Sequence, residues 1–117
     1  MTVKEFYTAS GGGYEEMAAK FGSDDMIKKF LIIFKRDKSY DLLVEKLDGG
    51  ETAEAFTAAH TLKGVVLNLN LLGLKEPVCN IVEALRAGNL SAALSLFPAV
   101  SDAYAVTVDA LNQLLPQ

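Results

Sequence analysis

His60 is the only histidine in a chain of 117 residues, and Lys63 and Gly64 follow it within one helical turn in the stretch AFTAAHTLKGVVLNLNLLGL, residues 55 to 74. An imidazole has an ordinary pKa of about 6.5, so near neutral pH much of it is uncharged and offers a nucleophilic ring nitrogen. Zinc chemistry needs three or four ligands, and one histidine with one distant cysteine, Cys79, does not supply them. A Ser/His/Asp triad needs a nucleophile on a strained turn, and no G-x-S-x-G elbow is present. What remains is an imidazole that itself accepts a transferable group. A phosphoryl group on a ring nitrogen carries negative charge, which an ammonium three residues along the same helix can offset. Glycine inside a helix costs about 1 kcal/mol relative to alanine, so Gly64 marks a place where bare backbone is wanted beside the imidazole.

These residues have to be presented by a helix. At about 100° per residue, Ala55, Ala58, Ala59, Leu62, Val66 and Leu69 fall in one apolar arc, the width of a core-facing stripe. His60 points roughly 150° away from the centre of that arc. Lys63 and Gly64 flank it, with Phe56 and Leu67 above and below. Apolar side chains grouped around an outward imidazole are covered either by the N-terminal helices of the same chain or by another protein.

The rest of the chain also has helical spacing, with no sustained alternation of strand type. VKEFYTAS predicts two helical turns before the Gly11 to Gly13 run, which is taken as a linker turn because no strand precedes it and no Lys-Ser or Lys-Thr pair follows. YEEMAAKF predicts a second short helix stopped by Gly22. Ser23 is a good N-cap for a helix that starts with Asp24 and Asp25 and continues, with a break near residues 37 to 39, to the glycines at 49 and 50. Thr52 is expected to cap the histidine helix, which should run to about Leu72, where Gly73 permits a turn. The next helix is expected from Lys75 to Ala87 with Pro77 in its first turn, and the last from about Leu90 to Leu115, bent at Pro98. The pattern predicts an all-α domain: an antiparallel, up-down four-helix bundle over about residues 23 to 115, preceded by a short N-terminal helical cap over about residues 2 to 21.

Bulk properties narrow the functions. The length fits one domain with a single core. A formal charge of −4 and an isoelectric point near 4.9 argue against nucleic acid as a partner, since phosphate backbones require a basic stripe. Lys28, Lys29, Lys35, Arg36 and Lys38 form a local basic cluster, expected to be a solvated helix face. The N-terminal residues have no apolar signal core, and FLIIF is too short to span a bilayer, so no membrane association is expected. A lone cysteine fits a reducing compartment, and the expected location is the cytoplasm.

AAHTLKG, with Asn68 eight positions after the histidine, resembles the signature of histidine-containing phosphotransfer (HPt) domains. The similarity extends from about residue 20 to residue 115 through KFGSDDMIKKFLIIFKRD, LLVEKLDGG, VEALRAGN and LFPAV. The resemblance implies a phosphorelay intermediate: a receiver domain's phospho-aspartate gives its phosphoryl group to His60, which passes it to an aspartate of another response regulator. It implies further that Lys63 steadies the phosphoryl group, that Gly64 provides clearance, and that Asn68 belongs to the family's extended motif. Phe56 and Leu67 are assigned to docking from the helical wheel alone. The partners implied are receiver domains of response regulators and hybrid kinases. Magnesium would belong to the receiver, leaving this chain a monomer with no cofactor and no ATP site of its own. The chain departs from the family where Asn70 stands at an expected glycine, and bulky Val65 and Leu67 could narrow partner choice. Two other readings stay open: a helical module that docks receivers without phosphotransfer, and the dimeric helical domain of a histidine kinase.

Overall fold

The computed structural model describes residues 1 to 116, and within them the regular structure is all helical. The elements are α1 (Val3–Ala9), α2 (Tyr14–Phe21), α3 (Asp24–Arg36), α4 (Ser39–Asp48), α5 (Thr52–Asn68), α6 (Leu72–Arg86) and α7 (Leu90–Leu114). Their starts follow local chemistry. Thr2 and Glu5 form a reciprocal capping box on α1, with hydrogen bonds of 2.8 and 3.1 Å. The Ser23 hydroxyl accepts from the Met26 amide at 3.2 Å, as the sequence predicts, and Asn89 caps α7 in the same way through Ala92. The break between α3 and α4 is real: Asp37 is extended, and its carboxylate accepts the Ser39 amide at 2.9 Å.

Most of the helices lay their apolar stripes on neighbours in the chain, and α1 packs mainly on α7. α4 packs on α5, α5 on α6 and α6 on α7, while α3 meets α2 and α7. The expected stripe of α5 is all buried: Ala55, Ala58, Ala59, Leu62, Val66 and Leu69. Leu31, Leu43, Leu62, Leu74, Ile81 and Leu111 complete the middle of the core, each fully buried side chain contributing about 1.5–3 kcal/mol. α7 is long and apolar enough to cross a membrane by length and composition. Its inner face, from Ala93 through Val100 and Thr107 to Leu114, is buried against the other helices.

Three boundaries differ from the sequence expectation. Glu51, not Thr52, is the N-cap of α5, and Thr52 is its first helical residue, with no side-chain cap bond. α5 ends at Asn68, four residues before the expected Leu72. α6 therefore starts at Leu72, and Pro77 lies beyond its first turn. The proline costs little there, because the carbonyl it leaves without a helical partner belongs to exposed Gly73.

The N-terminal segment explains the early end of α5. Tyr7 is fully buried and donates its hydroxyl to the Leu69 carbonyl at 2.7 Å, and the Lys20 ammonium donates to the Asn68 carbonyl at 3.2 Å. Asn70 has φ 53°, the one non-glycine in the left-handed region among the described residues, and donates its side-chain amide to the Gly13 carbonyl at 3.1 Å. Asparagine tolerates this conformation because its short polar side chain can hydrogen-bond locally. Immediately after it, the Gly73 amide donates to the Ser10 carbonyl at 3.2 Å. The Gly11 to Gly13 run is thus more than a linker: all three glycines have positive φ, and a Cβ on Gly11 or Gly13 would lie 2.6 Å from backbone atoms of Gly73 or Asn70.

A ladder of rings joins α3, α4 and α7. Tyr40 and Tyr104 stack at 3.8 Å and 4°, with Phe97 and Phe34 at either side. Burial first, then the carboxylates of Asp41 and Asp37, push the Tyr104 hydroxyl up from 10.0 to about 12. Burial raises Tyr7 still further. Above pH 10 the unfolded chain therefore holds fewer protons than the folded one, so stability is full below pH 10 and falls as the pH rises beyond it. Urea denaturation between pH 8 and 12 should show that decline, and Tyr104→Phe should make it shallower. A flat profile above pH 10 would remove the protonated buried hydroxyls from the account.

Candidate functional site

α5 presents its outer face as the wheel requires. His60 is exposed, one turn beyond Phe56 and one turn before Gly64 and Lys63. Thr57 and Thr61 fold their hydroxyls back onto the carbonyls of Ala53 and Thr57, so these two hydroxyls are satisfied within the helix. Lys63 is half-buried and forms no ion pair among the described residues, leaving its ammonium for an incoming anion. Among those residues no group of three or more His, Cys, Asp and Glu side chains is placed to hold a metal ion.

Gly64 is the most informative residue of this face. A Cβ built there meets no atom within 4 Å outside its own helix, so nothing in the fold requires glycine. Gly64→Ala should therefore stabilise the chain by up to about 1 kcal/mol in urea denaturation, through helix propensity alone. A destabilised variant would mean that the glycine serves the fold.

Phe56, expected to take part in docking, stands only partly clear of the core. It is half-buried and packs against the core, with its ring 5.6 Å from the His60 ring and inclined by 29°. The Arg86 guanidinium, at the end of α6, covers the same ring at 5.1 Å. The start of α5 therefore lies beside the end of α6, and the two helices run antiparallel. A groove of about 510 Å³ opens there between Thr52, Ala53, Phe56, Leu85, Arg86 and Gly88. Arg86 is half exposed, and its ion pair with Glu83 is a 3.3 Å surface contact of small energetic weight. Sequence reasoning missed Arg86, because only the pairing of α5 with α6 brings it to the histidine face.

Leu67 stays 45% exposed, uncovered by the N-terminal helices, and exposed Asn68 stands beside it. Asn68 leads into a second groove of about 130 Å³ lined by Phe30, Ile33, Phe34, Asp37, Val65 and Leu69. His60, Gly64 and Leu67 thus form an exposed crest, with Lys63 and Arg86 on the α6 side and Asn68 on the α3 side. Compared with protein-family models, curated proteins and solved structures, the chain matches none.

Proposed function

We propose that the chain is a histidine-containing phosphotransfer protein, a phosphorelay intermediate that carries a phosphoryl group on His60. The observation that supports this most is the imidazole standing exposed on a helix, with open space over Gly64 one turn away. In the forward step a lone pair on a His60 ring nitrogen attacks the phosphorus of a receiver's aspartyl phosphate. An N–P bond forms, the P–O bond to the aspartate breaks, and the aspartate leaves as a carboxylate. The second step runs the same chemistry toward another receiver's aspartate. Lys63 offsets the charge on the transferring group, whose stabilisation in such reactions is mainly positioning and electrostatics.

This reading takes α3 with α4, α5, α6 and α7 as the four members of an antiparallel, up-down bundle. The bundle holds the imidazole outside the core, where a partner's loop can reach it. The chain would act as a monomer in the cytoplasm, without nucleotide chemistry of its own. The test is incubation with a phosphorylated receiver domain: label should move to the chain as an acid-labile, base-stable phosphoramidate. No transfer from any of a broad set of receivers would leave docking without chemistry as the function. Gly64→Gln should slow transfer at least about tenfold while keeping the melting temperature at or above wild type, since its side chain fills the approach route and no internal space. Transfer at the wild-type rate would remove the clearance role.

A further inference from the structure

We infer that the docking surface for the relay partner extends from α5 onto α3, and that it selects a receiver whose apolar ridge is bordered by carboxylates. This rests on the phosphorelay reading for the class of partner; the surface itself follows from the fold. Ile33 is 63% exposed, more than any other large apolar side chain among the described residues, and Met26 on the same face is 40% exposed. A soluble helix does not gain from placing isoleucine in water, and here the exposed apolar groups are continuous with the histidine face. The groove of Phe30, Ile33, Val65 and Asn68 joins the α3 strip to the crest of His60 and Leu67.

Charge identifies what covers the strip. On the α3 wheel, Lys29 and Arg36 lie along the edge of Ile33 that faces away from the groove. Both are exposed, and neither forms an ion pair among the described residues. Five of the eleven lysines and arginines fall between residues 28 and 38 of a chain whose net charge is −4. The one carboxylate in that window, Asp37, accepts the Ser39 amide and lines the groove. On the opposite flank, Lys63 and Arg86 border the same crest. Lys29 and Arg36 on one flank and Lys63 and Arg86 on the other thus outnumber the carboxylates at this apolar centre, Asp37 in the groove and Asp25 at the start of α3. The complementary surface is an apolar ridge with aspartate and glutamate at its margins.

The experiment uses a receiver domain that transfers phosphate to wild-type His60; if no receiver does, the phosphorelay reading has failed before any variant is made. With that receiver, Lys29→Glu/Arg36→Glu should weaken binding by at least about tenfold in calorimetry and flatten its dependence on salt. Ile33→Asp should weaken it by about tenfold, with the fold unchanged because the side chain is exposed. Phosphoramidate, a small donor that needs no docking, should load His60 equally in every variant. Wild-type affinity and salt dependence in the α3 variants would overturn the inference and leave the relay reading standing. Unequal loading by phosphoramidate would also overturn it, because the substitutions would then act on His60 rather than on docking.

Discussion

A chain carrying His60→Gln should take up no phosphate from a phosphorylated receiver, while its circular dichroism and melting temperature stay at wild type. The loss is complete because the chain has no second histidine, and a glutamine amide has no basic nitrogen lone pair to attack phosphorus. The fold is spared because the imidazole is exposed and, among the described residues, its ring meets only that of Phe56, at 5.6 Å. Glutamine is also the better helix former by a few tenths of a kcal/mol. The measurement is label transfer at matched concentrations, with thermal melts of both proteins. Residual acid-labile label on the variant would mean that another residue carries the phosphoryl group. A large fall in melting temperature would mean that the imidazole serves the fold, contrary to its exposure.

Gly73→Ala should have the largest effect on stability, destabilising the chain by about 2–4 kcal/mol and lowering the melting temperature by roughly 10 °C. Gly73 lies in the first turn of α6, where its amide donates to the Ser10 carbonyl. A Cβ on it would stand 2.4 Å from that same carbonyl oxygen. The obstacle is backbone, which has no rotamer to change, so the end of α1 and the start of α6 must separate. Separation weakens the Gly73 to Ser10 bond and disturbs the Gly11 contact on the same corner. Gly64→Ala is the internal control: the same substitution, in a helix, at a site with open space, with the opposite sign. Equal melting temperatures for the two variants would show that the corner is soft and that the close approach carries no weight. Because this corner lies beyond the end of α5, Gly73→Ala should still accept phosphate at temperatures where it is folded.

The histidine face was legible in the sequence because it depends on one helix. Helical periodicity alone separates Leu62 and Val66 from His60 and Gly64, and burial follows that division, with Phe56 and Lys63 half-buried between the two faces. The Ser23 cap and the break at Asp37 were equally local, since a cap bonds to the amides of its own first turn. The ends of α5 and α6 were not. Asn70, which tolerates the left-handed conformation of a helix exit, is the one local sign of the stop, and the groups that hold the exit come from Tyr7, Gly13 and Lys20. Gly73 suggested a turn; it is instead the point where two backbones touch, and only the position of Ser10 and Gly11 shows it. Asn70 looked like a departure at an expected glycine, but it adopts the left-handed conformation a glycine would supply and adds a bond to Gly13.

The same limit applies to the surface around His60. Its sequence neighbours Lys63 and Gly64 could be assigned by spacing, whereas Arg86 over Phe56 and Ile33 across the Val65 groove belong to other helices. The sequence by itself determined an all-helical chain and the outward direction of one imidazole, because both are set by interactions within a few residues. Tertiary structure alone decided where α5 ends, which cations border the imidazole and which apolar side chains remain uncovered, because each depends on contacts between segments far apart in the chain.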